Sequence, residues 1–235
     1  MNKGKLYLIP SPLGDNDPAE VIPGPVLGIL GQIKTFVVEE VRTARRFLSR
    51  AGLKGGIAEL EFKVLNEHTT AEETEALAEL FSGGQDVGLI SEAGLPAVAD
   101  PGARLVELAH RHGIEVIPFT GPSSLMLALM ASGLNGQSFA FCGYLPAKPD
   151  ERKARLRSIE KLSASTGQTQ IFIETPYRND RMLEDIIAVC RESTRLCIAA
   201  DITLPDAFIR TKTVGEWKRD LPAIGKRPCV FCLSA

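Results

Sequence analysis

Val87-Gly88-Leu89-Ile90-Ser91-Glu92-Ala93-Gly94-Leu95-Pro96-Ala97-Val98-Ala99-Asp100-Pro101-Gly102 is the stretch that decides the fold. Its first four residues are wholly apolar, which predicts a short strand buried on both faces, as in a parallel sheet. The next twelve are small residues, prolines and two carboxylates, too irregular for a strand or a helix. Helical spacing then resumes at Leu105 and stops at Gly113. Strand, small-residue loop, helix is the grammar of an open α/β sheet. In such sheets ligands gather beyond the carboxyl ends of the strands.

Two other places repeat that grammar. Leu6–Ile9 reads as a strand and runs into Pro10-Ser11-Pro12-Leu13-Gly14-Asp15. Val116–Phe119 reads as a strand and runs into Thr120-Gly121-Pro122-Ser123-Ser124, with a helix from Ser123 to Ala131. Small side chains let a ligand approach the backbone, and glycine permits a positive φ. A helix opened by Pro122 or Ser123 also offers free N–H groups. Between these loops the chain predicts a helix over Val26–Ile33, a strand over Thr35–Val38, a helix over Val41–Arg50 and a strand over Phe62–Leu65. A further helix is capped by Thr70, with Glu73 completing a capping box.

From about residue 136 the pattern restarts. Strands are expected at Phe139–Tyr144, Gln170–Ile173, Leu196–Ala200, Phe208–Thr213 and Pro228–Leu233, with helices at Asp150–Leu162 and Arg181–Cys190. The fold class is therefore α/β with two domains. An N-terminal domain, 1–135, holds a mostly parallel sheet with helices on both faces; a C-terminal domain, 136–235, holds a mixed sheet.

Composition narrows the function classes. The 235 residues are 44% hydrophobic and 24% charged, with a net charge of −2. That excludes a uniformly basic nucleic-acid surface and leaves room only for local basic patches. No apolar run reaches the roughly 18–20 residues of a membrane span. The N-terminal stretch lacks the long apolar region of a secretion leader, so the expected location is the cytoplasm. Five cysteines, 142, 190, 197, 229 and 232, fit a reducing compartment. Cys229 and Cys232 form a C-x-x-C inside an apolar strand, where residues three apart point to opposite faces, so no metal is expected there. The sequence holds no G-x-G-x-x-G, no phosphate-binding P-loop and no Ser/His/Asp grouping.

In order and spacing, LYLIPSPLGD, VEEVRTARRFL, GLISEAGLPAVADPG, PFTGPSSLMLALMASGL, FCGYLPAK and IFIETPYR resemble the tetrapyrrole methylase superfamily. Within it they are most similar to the branch that methylates ribose 2′-hydroxyls of 16S ribosomal RNA, in a short form without that branch's C-terminal extension. The resemblance implies an S-adenosyl-L-methionine-dependent methyltransferase, usually a homodimer, with the cofactor in a cleft between two α/β domains. It places Leu13 of the first loop at the cofactor, with Gly94, Leu95 and Val98 of the second meeting it largely through backbone. Ser123 and Ser124 act from the third loop, Glu174 or its neighbour Ile173 at the domain junction, and Ala200 at the adenine. Glu92 and Asp100 are compatible with the positive sulfonium.

The same resemblance leaves the acceptor chemistry open. A hydroxyl acceptor benefits from a base, and Glu39, Glu40, Glu92 and Glu174 are the candidates. Two helices carry basic clusters, Arg42, Arg45, Arg46, Arg50 and Lys54 on one, Lys148, Arg152, Lys153, Arg155 and Arg157 on the other. They are expected to meet RNA phosphates, with Arg45, Arg46, Arg152 and Arg155 as contacts. The family's E-D-T-R-H-T becomes Glu39-Glu40-Val41-Arg42-Thr43-Ala44. Its A-R-E-[LI]-T-K becomes Ala200-Asp201-Ile202-Thr203-Leu204-Pro205, where Asp201 is expected to repel phosphate. Alternative readings are a small-molecule, tetrapyrrole-like methylase and a cofactor-binding protein without turnover.

Overall fold

The structure, a computed structural model, describes residues 3–235; Met1 and Asn2, part of the stretch read above for a leader, lie outside it. The chain divides into two compact units, Met1–Ser123 and Ser124–Ala235.

The first unit is built on five strands: β1 (Leu6–Ile9), β2 (Thr35–Val38), β3 (Glu61–Val64), β4 (Val87–Ile90) and β5 (Val116–Pro118). Their order is β3-β2-β4-β1-β5, and every pairing is parallel. β4 sits in the middle and is buried at all four positions, as its unbroken apolar run dictates. Alternation sorts the sheet's side chains into two cores. Ile9, Phe36, Val38 and Ile90 point to one face, under helices α2 (Gly24–Leu30) and α3 (Val41–Leu48). Leu6, Val37, Val87 and Leu89 point to the other, under α5 (Ala103–Arg111) and the segment containing Leu77 and Phe81.

Three local differences from the sequence reading have simple causes. Pro18–Val21 forms a four-residue helix, α1, absent from the pattern above, because Asp17 accepts from the Ala19 N–H and Pro18 takes the first helical position. The helix capped by Thr70 is α4 (Ala71–Ala76). It has the expected capping box but tightens into a 3-10 turn at Leu77–Phe81. The basic helix α3 ends at Leu48 and passes into a wider π turn over Ser49–Leu53, kinked at Gly52, whose φ is +105°.

The second unit carries β6 (Phe139–Tyr144), β7 (Thr169–Glu174), β8 (Arg195–Ala200), β9 (Phe208–Thr213) and β10 (Cys229–Ser234), in the order β6-β7-β10-β8-β9. β6 runs parallel to β7, and the other pairings are antiparallel. One face of the sheet is closed by α7 (Pro149–Thr166), α8 (Asn179–Val189) and α9 (Val214–Arg219), around Leu156, Phe172, Ile186, Trp217 and Phe231. Helix α6 (Ser124–Ser132), which the sequence reading attached to the first domain, packs on β8, β9 and β10, and Thr211 Oγ1 donates to the Ser132 carbonyl at 2.7 Å. Cys229 and Cys232 are both buried in β10, and burial pushes the Cys229 thiol up to about 12.

Candidate active site

The three small-residue loops of the first unit converge on one glycine. Ser11 and Gly94 form an isolated antiparallel bridge: Ser11 N–H donates to the Gly94 carbonyl at 2.9 Å, and Gly94 N–H to the Ser11 carbonyl at 3.1 Å. Ser11 Oγ adds a bond to the Ser91 carbonyl at 3.0 Å. Gly94 has φ +78°, and a methyl group placed on it lies 3.1 Å from Leu13 Cδ2 and 3.4 Å from the Pro122 carbonyl oxygen. So the first loop supplies Leu13, the second Gly94 and the third Pro122. Gly121 is equally constrained: a methyl there meets Pro10 Cβ at 2.1 Å. Glycine at these positions lets three strands' ends come together and leaves main-chain groups accessible, which is what a ligand-cradling backbone requires.

The second loop is held by its own carboxylate. Asp100 Oδ1 accepts from the N–H groups of Ala97 at 3.0 Å and Gly102 at 2.7 Å. Asp100 Oδ2 is buried without a hydrogen-bond partner. Burial pushes the Asp100 carboxyl above its ordinary value, against the stabilising backbone bonds. Ala97 and Ala99 on this loop have φ of +65° and +62°. Such values are uncommon for residues with a Cβ, and they accumulate at functional segments. The same pairing recurs after β8, where Asp201 and Thr203 have φ of +49° and +78°.

Beside the Gly94 junction lies a cavity of about 400 Å³, reached from α3. Ser11 and Asp15 of the first loop, Thr43, Arg46 and Arg50 of the third helix and its extension, and Glu92 of the second loop are in its wall. Asp15 Oδ1 accepts from Arg46 Nη2 at 3.1 Å and Arg50 Nη1 at 2.6 Å. Arg50 also donates to the Asn16 carbonyl at 2.7 Å. Arg45 lies over the Phe62 ring, 5.2 Å from its centroid.

The four candidate bases separate by environment. Glu40 caps α3, accepting from the Arg42 N–H at 2.9 Å. Glu39 accepts from the Glu92 N–H at 3.1 Å; partial burial raises its pKa, with the charges of Asp100 and Glu92 adding to the shift. Glu92 is raised mainly by desolvation and also by the Glu40 charge, while a bond from Thr43 opposes the shift. Glu174 belongs to the second unit and is ion-paired with Arg178 at 2.6 Å.

Leu13, Gly94, Leu95, Val98 and Ser123 thus occupy the loop cluster of the first unit, and Ser124 is the first residue of α6. In the second unit Glu174 ends β7 and Ala200 ends β8, and both lie opposite Cys229 in register, so they share one end of the sheet. Ala200 is fully buried, and Glu174 Oε2 is a second buried acceptor without a partner.

Two expectations are corrected. Arg152 does not face solvent: it is 2% exposed, with Nη2 2.6 Å from Asp185 Oδ2 and Nη1 2.7 Å from the Ala147 carbonyl. An arginine on a helix whose neighbour is another helix is more readily consumed by an interhelical pair than by a ligand. Asp201 does not present a bare charge either, because Arg227 binds its carboxylate. Sequence reading missed the Asp15 clamp and the cavity. The i,i+4 spacing of Arg46 and Arg50 was readable, but their shared partner 31 and 35 residues away was not. Among the described residues there is no group of side chains suited to hold a metal, and no helix long and apolar enough to cross a membrane.

Residues 30–218 match the family of Tetrapyrrole (Corrin/Porphyrin) Methylases. The chain belongs to that family. Like its other members, this tetrapyrrole methylase-family chain is a methyltransferase. It is 32% identical over 215 residues to the ribosomal RNA small subunit methyltransferase I of Escherichia coli O157:H7, covering 92% of this chain and 71% of that one. It is 34% identical over 222 residues to the protein of the same name from Haemophilus influenzae, covering 93% and 74%. In fold it is similar to a diphthine synthase, with a TM-score of 0.66 at 15% identity, covering 98% of this chain and 89% of that one. A uroporphyrin-III C-methyltransferase from Thermus thermophilus, complexed with S-adenosylhomocysteine, gives 0.60 at 19% identity, covering 98% and 97%.

Proposed function

We propose that this methyltransferase transfers the methyl group of S-adenosyl-L-methionine to a ribose 2′-hydroxyl of small-subunit ribosomal RNA, as a homodimer in the cytoplasm. The observation that carries the reading is the convergence of three loops at Gly94, where a Cβ meets Leu13 and Pro122. The RNA acceptor is supported by relatives named for small-subunit ribosomal RNA. The residues present fit the donor. Gly94 and Gly121 leave the cradle open, and Asp100 Oδ2 is a buried acceptor awaiting a donor group.

Leu13, Gly94, Leu95 and Val98 hold the donor from the first two loops, largely through backbone. Ser123 and Ser124 contribute hydroxyls and helix-terminal N–H groups. Glu174 and Ala200 act from the sheet end beside Cys229. When bound, S-adenosylmethionine supplies a methyl group on a positively charged sulfur, already activated toward a nucleophile. The protein's own task is to orient the acceptor oxygen, exclude water and accept the proton that oxygen loses.

The test is transfer of labelled methyl from the cofactor to isolated small ribosomal subunits and, in parallel, to uroporphyrinogen. Label in an alkali-resistant dinucleotide of the RNA is expected, since a 2′-O-methyl group blocks hydrolysis at the adjoining phosphate. Label in the macrocycle with none in RNA would overturn the acceptor and leave the methyltransferase in place.

A further inference from the structure

None of the residues assigned to the donor lines the cavity over α3. It is about 400 Å³, within the range that takes a nucleotide-sized ligand. It also adjoins the donor loops: Ser11 is bridged to Gly94 on one side and lines the cavity on the other. Its polar groups fall into two sets. At the mouth, Arg46 and Arg50 stand one helical turn apart and share the Asp15 carboxylate. The Asp15 and Arg46 side chains are 74% and 69% exposed, so this pairing is weak and exchangeable. On the second loop, Glu92 is the cavity's remaining carboxylate, exposed and with the Thr43 hydroxyl bonded to it.

Resting on the ribose-methylation reading above, we propose that this cavity is the acceptor pocket. Arg46 and Arg50 exchange Asp15 for the phosphate next to the target nucleotide, and Glu92 takes the proton of its 2′-hydroxyl. A phosphodiester offers each arginine a non-bridging oxygen of its own, where the Asp15 carboxylate engages both through Oδ1 alone. Asp15 offsets one of the two positive charges until RNA arrives. The 2′-oxygen gains the methyl carbon and loses its proton to the Glu92 carboxylate. The sulfur keeps the electron pair of the broken sulfur–methyl bond, and Glu92 later returns its proton to water.

Glu92 suits the role better than the other carboxylates. Glu39 is engaged by the Glu92 N–H, Glu40 caps α3, and Asp100 is tied to its own loop. The charges facing Glu92 are Glu39 and Glu40 from the end of β2 and Asp15, Arg46 and Arg50 at the cavity mouth. Desolvation and the Glu40 charge raise its pKa, toward the range useful to a base at neutral pH.

Two variants test the pocket, with S-adenosylhomocysteine calorimetry and circular dichroism confirming that each still folds and binds donor product. Glu92→Gln is expected to keep RNA affinity and lose on the order of 100-fold in single-turnover methylation. The wild-type fall in rate at low pH, as Glu92 protonates, should flatten in that variant. The double change Arg46→Gln and Arg50→Gln is expected to reduce the slope of log affinity against log salt by about 0.7 per lost phosphate contact, whether or not the protein turns over. A wild-type rate and pH profile in Glu92→Gln, or an unchanged salt slope in the arginine variant, overturns the pocket while the ribose reading stands. Product binding with no transfer to RNA by the wild type overturns both.

Discussion

Gly94 shows what a single missing side chain permits. Its φ of +78° is reached by residues with a Cβ only at a cost, of order 1–2 kcal/mol. A Cβ there is also crowded, 3.1 Å from Leu13 Cδ2 and 3.4 Å from the Pro122 carbonyl oxygen, and the branches of a valine would crowd it further. Gly94→Val should therefore reduce binding of S-adenosylhomocysteine below calorimetric detection while leaving the far-ultraviolet dichroism unchanged. Normal affinity in that variant would mean that the loop is only a turn. Asp100 makes a different kind of prediction. A carboxyl whose folded-state pKa is raised favours the fold below its unfolded value, near 3.8, and that contribution is lost as pH rises through the folded value. At neutral pH the partly buried charge is then a cost. Asn keeps an oxygen for the Ala97 and Gly102 N–H groups while removing the charge. Asp100→Asn should raise Tm at pH 7 by about 2–4 °C if the relief is about 1 kcal/mol, with the gain shrinking toward pH 4. A lower Tm at pH 7 would show that the ionised form is the one the loop needs.

Among the elements, the helix pair α7–α8 and the helix α3 divide the basic residues between structure and surface. Arg152 of α7 and Asp185 of α8 form a buried pair, with Lys153 Nζ a further 3.4 Å from Asp185 Oδ1. Removing one partner of such a pair costs about 3–5 kcal/mol, because it strands the other charge; Lys153 offsets part of that. Arg152→Ala should lose about 3 kcal/mol in urea unfolding and leave the salt dependence of RNA binding untouched. A changed salt slope would return Arg152 to the RNA surface. The contrast also marks what was legible. Strands, loop positions and the Thr70–Glu73 capping box could be read because they depend on local chemistry. Helix α9 has a second capping box, Thr213 with Glu216, but it is only six residues long and buries only Val214 and Trp217, too short a stripe to show helical spacing. The fate of Arg152 was not legible, because burial depends on a partner 33 residues away. Nor were the positive φ values at Ala97 and Ala99, which no alanine announces.

For the molecule as a whole, α6 is the element least at ease alone. Its sequence, SLMLALMAS, has no charged residue, yet Met130 is 77% exposed. A helix that is apolar all round is normally buried. On the sheet against which α6 packs, Phe139 and Phe141 of the edge strand β6 are exposed as well. Two-fold pairing is the commonest way to cover such a patch. Light scattering at micromolar concentration should give twice the chain mass, and Met130→Glu should shift the protein toward monomer. A wild-type monomer would remove the homodimer from the proposed function.

The strand order β3-β2-β4-β1-β5 has a consequence for biogenesis. β1 is the first strand of the unit to be made, but its two neighbours are the last strands of the unit to emerge: Leu6 pairs with Val87 on one side and with Val116 on the other. At a synthesis rate of about 5–20 residues per second, the roughly 110 residues from Leu6 to Val116 take on the order of 5–20 s. Through that interval an apolar strand with open edges waits on the nascent chain, exposed to chaperones and to its neighbours on the polysome. A pause in translation before Val116 prolongs that exposure, so codon changes there should alter soluble yield without altering a single residue.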